Sequence, residues 1–313
     1  VALILTVDEQ AWRHNVERVR RTHPGLVPVV KGTGYGFGRR RLAAEAAAFG
    51  APYVAVGTVH ELDGLPPGPT PVVLTPTVRI EPGGVRGAVV TADAVAHLDA
   101  ARRGAAAGIV VEVASSMHRY GVDRAGLAAL VEAADRRSLP VVAVAIHLPL
   151  AGTSAERAAE AARWIPHLPA AVPLWCSHLD AGDEAGLAAR HPVRQRIGTR
   201  LWLGDKAFCH LGAEVVSVHR VARGTPCGYR QHPAPADGHV VAVGAGTAQG
   251  VTLLPDGRSP LHHARRRLDL VEPPHQHTTL AFVPLGEPLP SVEEILDVQR
   301  PLTEVRPDEV VWR

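Results

Sequence analysis

The stretch Leu26-Val27-Pro28-Val29-Val30-Lys31-Gly32-Thr33-Gly34-Tyr35-Gly36-Phe37-Gly38 sets how the rest of the chain is read. It opens as an apolar, β-branched run and breaks at Lys31 into a segment with glycine at every second position. β-Branched residues suit a pleated, buried surface, whereas repeated glycine frees the backbone for positive φ and for close approach to a ligand. The stretch therefore reads as a strand that delivers one amine to a glycine-rich loop. That amine stands out because, of the 33 lysines and arginines, only Lys31 and Lys206 are lysines. Arginine stays protonated, while a lysine amine can act as nucleophile or base. The plain alternative is a surface lysine at a strand end.

Outward from this stretch, apolar runs recur at regular intervals with helical patterns between them. Strands are expected at 27–30, 53–56, 71–75, 88–91, 109–113, 141–147, 173–177 and 193–197. Helices are expected at 10–21, 39–49, 93–103, 123–137, 154–164 and 183–190, with caps at Thr91 or Asp93, Asp123, Ser154 and Asp183. Eight strands alternating with helices predict an α/β fold, a (β/α)8 TIM-type barrel over residues 8–205. A doubly wound open sheet is the competing arrangement, but no GxGxxG follows the first strand. After about residue 212 short apolar runs alternate with Gly- and Pro-rich turns, which predicts a C-terminal all-β domain over 213–313, with residues 1–7 available to join it as a strand. The stretch from Gln299 to Arg313 is too short for a further domain.

Composition excludes several classes of function. A net charge of +2 without a basic, aromatic-laced run gives no case for nucleic acid. No apolar run is long enough to span a bilayer, and the start of the chain lacks a basic-then-apolar leader pattern. Three scattered cysteines, Cys176, Cys209 and Cys227, suit neither a disulfide framework nor a metal site, so the expectation is a reducing cytoplasm and no metal.

In a barrel of this kind, chemistry sits at the C-terminal ends of the strands. Lys31 and Tyr35 follow the first strand, and Ser115-Ser116-Met117-His118-Arg119-Tyr120-Gly121 follows the fifth. His147 ends the sixth, Ser177-His178 the seventh, and Arg196, Gly198 and Thr199 close the eighth. One lysine, two arginines and a histidine around one opening would form an electropositive pocket for an anionic ligand. Each also has a purely structural reading. Arg119 could pair with Glu112 or Asp123, His147 could be a core histidine, and Arg196 could belong to a solvated cluster with Arg194 and Arg200.

Taken together these motifs resemble the alanine racemase family, fold-type III enzymes that use pyridoxal 5′-phosphate (PLP). Val29-Val30-Lys31-Gly32-Thr33-Gly34-Tyr35-Gly36-Phe37-Gly38 is similar to the family's V-V-K-A-N-A-Y-G-H-G, and Met117-His118-Arg119-Tyr120-Gly121 to its M-x-R-x-G. His147 stands where the family has the histidine of T-H-F-A. Arg196-Ile197-Gly198 resembles its R-x-G, and Gly228-Tyr229 resembles part of its S-Y-G. The resemblance implies a homodimer with shared active sites that interconverts L- and D-alanine, or a similar small amino acid, with two bases. In that scheme Lys31 carries the cofactor and serves one face of the substrate, and Tyr229, from the other subunit, serves the opposite face. Arg119 lies near the cofactor phenolate and the substrate carboxylate, Arg196 meets the pyridine nitrogen, and His147 orients Arg196 and tunes Tyr229. Tyr35 and the backbone following Arg196, at Gly198 and Thr199, hold the phosphate.

The chain also departs from the family pattern. Gly246-Thr247-Ala248-Gln249-Gly250 stands for G-Y-A-D-G, so a tyrosine that narrows the substrate entrance is replaced. His275-Gln276-His277 stands loosely for M-D-Q, and Asp180-Ala181 lies near the place of an asparagine-serine pair. A late tyrosine of the phosphate site has no counterpart. These changes keep open a PLP-binding homologue with altered substrate or lost racemase activity, and a cofactor-free barrel that binds an anionic metabolite.

Overall fold

A computed structural model describes residues 2–313. Its contacts divide the chain into two compact units. One holds residues 14–34 and 39–202, and the other the residues up to Arg13 together with 35–38 and 203–313.

In chain order the elements are β1 (Leu3–Val7), α1 (Glu9–Thr22), β2 (Val27–Pro28), α2 (Arg39–Ala48), β3 (Tyr53–Val56), β4 (Thr70–Val73), β5 (Val89–Ala92) and α3 (Val95–Arg103). There follow β6 (Gly108–Val113), α4 (Arg124–Asp135), β7 (Val141–Ile146), α5 (Ser154–Ala162), β8 (Leu174–Cys176), α6 (Ala181–Ala188), β9 (Val193–Ile197) and β10 (Cys209–Val221).

The larger unit is a parallel barrel of eight strands in the order β2-β9-β8-β7-β6-β5-β4-β3. A parallel bridge between Val29 and Ala55 links its two ends, and the Val30 amide donates to the Ala55 carbonyl at 2.7 Å. Each expected strand is present to within a few residues of its expected bounds. The first is a two-residue ladder, Val27–Pro28, extended by the Val29 bridge to Ala55. Strands of a parallel sheet are covered on both faces, which is why they read as unbroken apolar runs. The interior packs Val27, Val29, Ala55, Val72, Val89, Val110, Ala143, Ala145 and Trp175.

Two helix starts lie upstream of the expected caps and one downstream. Asp123 does cap α4, accepting from the Gly126 amide, but α5 is capped by Thr153 in a reciprocal box with Glu156, and α6 by Asp180. Neither Thr91 nor Asp93 caps α3, whose N-cap is Ala94 without a side-chain bond.

The smaller unit is organised by β10, whose 13 residues pair antiparallel with β1, with Gly238–Val243 and with Ile295–Val298. Strand β1 also pairs in parallel with Glu309–Trp312, so the stretch at the end of the chain adds a strand to this sheet. Trp12, Phe37 and Trp312 form an aromatic cluster with ring centroids 4.9–5.8 Å apart.

Candidate active site

Period-two alternation along β9 sorts its side chains. Gln195 points to the helix side and meets His23 and Glu184, both buried. Arg196 has the opposite sense and is 7% exposed. Its Nη1 donates to Glu112 Oε2 at 3.2 Å and its Nη2 to the Ile146 carbonyl at 3.0 Å. Its Nε is buried and has no hydrogen-bond partner. The solvated-cluster reading of Arg196 therefore fails. Neighbouring Arg194 instead reaches the Gly25 carbonyl and lies over the Tyr53 ring.

Glu112 is two residues beyond the core residue Val110 and shares its face of β6. It pairs with Arg196 and leaves Arg119 to lie over the Tyr120 ring at 4.7 Å. Asp123 is occupied by its cap. Neither ion pair considered for Arg119 is formed.

The loop that carries Arg119 is tied down along its length. Ser116 binds Glu160 through both its amide and its hydroxyl, and the Gly121 amide donates to Asp93. Gly121 has φ +104°, and a Cβ there would stand 2.3 Å from the Val113 carbonyl carbon, so only glycine fits. The Ser115 hydroxyl donates to the His147 carbonyl at 2.6 Å, and the Leu148 amide donates to Ser177 Oγ at 3.1 Å. These bonds fasten the ends of β6, β7 and β8 to one another.

Lys31 is exposed at the end of the first barrel strand. The backbone after it is clamped from two sides. The Gly32 amide and the Gly57 amide both donate to Glu61 Oε2, at 3.1 and 2.7 Å, and Arg39 donates to the Gly32 carbonyl at 2.6 Å. Tyr35 is buried at φ +56°, in the left-handed region, and groups with the β unit.

The barrel residues form one electrostatic cluster. Burial lowers the His147 pKa to about 3, helped by the charges of Arg196, Arg119, His178 and Lys31. His178 is also lowered, by partial desolvation and then by Arg157, Arg196 and Lys31. The two imidazoles meet edge to face at 5.3 Å. His147 is therefore a neutral ring among cations. Arg196 spends its terminal nitrogens on Glu112 and Ile146.

The structure thus brings Lys31, Arg119, His147 and Arg196 together, with Gly198 and Thr199 just beyond Arg196. Tyr229 belongs to the β unit, where it is 85% exposed. Glu61 and Glu160 support these loops and were not singled out in the sequence, whereas Glu112 was named there as a partner for Arg119 and pairs with Arg196 instead. A carboxylate that accepts from loop amides has no spacing signature. Among the described residues no group of three or more His, Cys, Asp or Glu could hold a metal ion, and no helix is long and apolar enough to cross a membrane.

A parallel eight-stranded barrel followed by an antiparallel β region is the fold of the alanine racemases. The chain belongs to the alanine racemase family, whose N-terminal domain model matches residues 7–178. Among solved structures, the alanine racemase of Bartonella henselae with covalently bound pyridoxal phosphate is similar at TM-score 0.75 and 15% identity, with 100% of both chains covered. The biosynthetic alanine racemase of Pseudomonas aeruginosa gives 0.67 and 21%, covering 96% of this chain and 91% of its own. The enzyme of the D-cycloserine producer Streptomyces lavendulae gives 0.72 and 18%, covering 100% and 97%. No curated protein matches the chain.

Proposed function

We propose that the protein is a PLP-dependent amino-acid racemase acting on alanine or a similarly small amino acid. The observation that carries the reading is the buried, unpartnered Nε of Arg196 in the barrel that also presents Lys31. A buried N–H without an acceptor costs about 1–3 kcal/mol, which a ligand with an acceptor at that point would recover. The buried, unpartnered hydroxyl of Thr33, two residues from Lys31, is a second donor of this kind. These residues fit PLP, which offers an aldehyde to an amine, a ring nitrogen to a donor and a phosphate to backbone amides.

In this reading Lys31 binds the cofactor and Arg196 donates to its ring nitrogen. Tyr35, Gly198 and Thr199 hold the phosphate, and Arg119 meets the substrate carboxylate. Bound there, PLP supplies a ring that delocalises charge from the substrate α-carbon. The protein's own part is proton transfer at that carbon. Lys31 Nζ takes or returns the proton on one face and the Tyr229 phenol on the other. His147, neutral over the physiological range, neither competes for the proton as an acid nor adds a further cation. Tyr229 comes from a second copy of the chain, so activity requires a homodimer and falls on dilution.

The test is an absorbance spectrum of the protein with added PLP, before and after borohydride, with Lys31→Ala alongside. The expected result is a visible band that borohydride removes while fixing the cofactor to Lys31, and racemisation of alanine that Tyr229→Phe abolishes in both directions together, because each direction needs both bases. No band, or a band unchanged in Lys31→Ala, overturns the reading.

A further inference from the structure

Tyr229 sits in a setting that an exposed aromatic residue does not require. It follows Gly228, whose φ is +72° and whose missing Cβ would lie 2.2 Å from Glu272 Oε1. The backbone is thus pressed onto the Glu272 carboxylate. That carboxylate is 2% exposed and accepts three hydrogen bonds: from the Tyr229 amide at 2.7 Å, from the Arg230 amide at 3.1 Å, and from His275 Nε2 at 2.6 Å. Burial alone would raise its pKa, but these donors hold it below the usual carboxylate range. An ionised carboxylate only accepts, so the proton of the His275–Glu272 bond resides on Nε2. The ring direction of His275 is fixed by that bond.

The imidazole then packs on the phenol ring of Tyr229, with centroids 4.5 Å apart and planes tilted by 47°. The His275 backbone is anchored as well. Its amide donates to the Thr278 carbonyl at 2.9 Å, and its carbonyl accepts from the Thr247 amide at 2.8 Å. At Gly246 a Cβ would come 2.2 Å from the same carbonyl, so the segment has no slack there. One buried carboxylate therefore fixes both the main chain under Tyr229 and the ring beside it.

We propose that His275, held by Glu272, is a positioning residue for Tyr229, fixing the direction in which its phenol is presented. The inference rests on the reading of Tyr229 as the second proton carrier. It assigns a task to His275 and Glu272, neither of which touches the reacting carbon. Outer partners that orient metal ligands are worth about 10–100-fold in activity, and a loss toward the lower end of that range is expected for a partner that orients a reacting phenol.

The test uses the full chain with ring-labelled tyrosine, followed by NMR. The chain has four tyrosines, and the Tyr229 signals are those missing in Tyr229→Phe. In the wild type these ring signals are displaced by the imidazole. In His275→Ala and in Glu272→Gln they move toward free-tyrosine positions while the other three stay. In the PLP-loaded enzyme the same variants lower kcat by about 10-fold or more and leave KM within a few-fold. Tyr229 signals that are identical in wild type and both variants overturn the proposal, whatever the activity. Two variants guard against one failing to fold. If Tyr229→Phe racemises at the wild-type rate, the reading of Tyr229 as a proton carrier fails, and the ring signals still decide whether His275 holds the phenol.

Discussion

Replacing Glu112 by leucine is predicted to destabilise the barrel by about 3–5 kcal/mol, the usual result of stripping a buried ion of its partner. The magnitude follows from the surroundings. The side chains of Arg196 and Glu112 are 5% and 4% exposed, and Nη1 bonds the carboxylate at 3.2 Å. In Glu112→Leu the guanidinium keeps one acceptor, the Ile146 carbonyl, and its charge has no counterion within bonding reach. The double variant Glu112→Leu/Arg196→Met removes both charges and is expected to recover most of the loss, because an apolar pair of similar volume often matches a buried ion pair. The assay is urea unfolding of the cofactor-free protein, followed by tryptophan emission and by far-ultraviolet circular dichroism, with linear extrapolation. Omitting cofactor keeps ligand linkage out of the comparison, and coincident transitions license a two-state fit. A single variant within about 1 kcal/mol of wild type would refute the reasoning, since that is the range of an exposed pair. A double variant as unstable as the single one would show that the loss arises from packing.

Three further outcomes are expected. His147 takes up its proton near pH 3 in the folded chain against about 6.5 otherwise, so the unfolded chain binds the extra proton between those values. Its contribution to stability is therefore full above about pH 6.5 and is lost as the pH falls toward 3, and His147→Gln flattens that part of a Tm-against-pH curve. Gly121→Ala, at φ +104° and with its Cβ 2.3 Å from the Val113 backbone, costs more than the ~1–3 kcal/mol of a strained φ alone and lowers Tm and soluble yield together. Glu61→Ala removes the shared acceptor of the Gly32 and Gly57 amides, and hydrogen exchange at both is expected to speed up severalfold, at about 0.5–1.5 kcal/mol per lost bond because water can reach these amides.

The barrel was legible because both faces of its sheet are covered. Runs such as Gly108–Val113 and Val141–Ile146 carry an apolar signal that needs no partner to be recognised. The β unit was less so. Strand β10 begins at Cys209, ahead of the expected start of the β domain at 213, because its first half is defined by ladders to β1 and to Ile295–Val298, which are remote in sequence. The candidate site divides the same way. Lys31, Arg119, His147 and Arg196 could be named from strand ends, since topology sends those ends to one face. Their pairings could not. Glu112 and Arg196 are 84 residues apart, and only the curvature that brings β6 and β9 across one interior makes them partners. Glu61 and Glu272 resemble ordinary solvated charges in the sequence, and their roles are set by the loop amides that converge on them.

Arg196 is where fold and proposed chemistry meet, and its two structural bonds explain why it suits a ring nitrogen. A guanidinium is planar, so fixing Nη1 on Glu112 and Nη2 on Ile146 also fixes the direction of the Nε–H. That hydrogen is buried and unpaired. It can be donated but not surrendered, because a guanidinium does not deprotonate in proteins. A carboxylic acid in its place could pass its proton to a basic ring nitrogen and turn that nitrogen into a cation. Arginine instead binds the nitrogen and leaves it neutral. A buried guanidinium is tolerable only with a counterion, and Glu112 supplies one from inside the barrel. Under the proposed function the ion pair would therefore belong to the cofactor site's electronic setting as much as to the barrel's stability. By this argument, Glu112→Leu should weaken PLP binding even where the variant is folded.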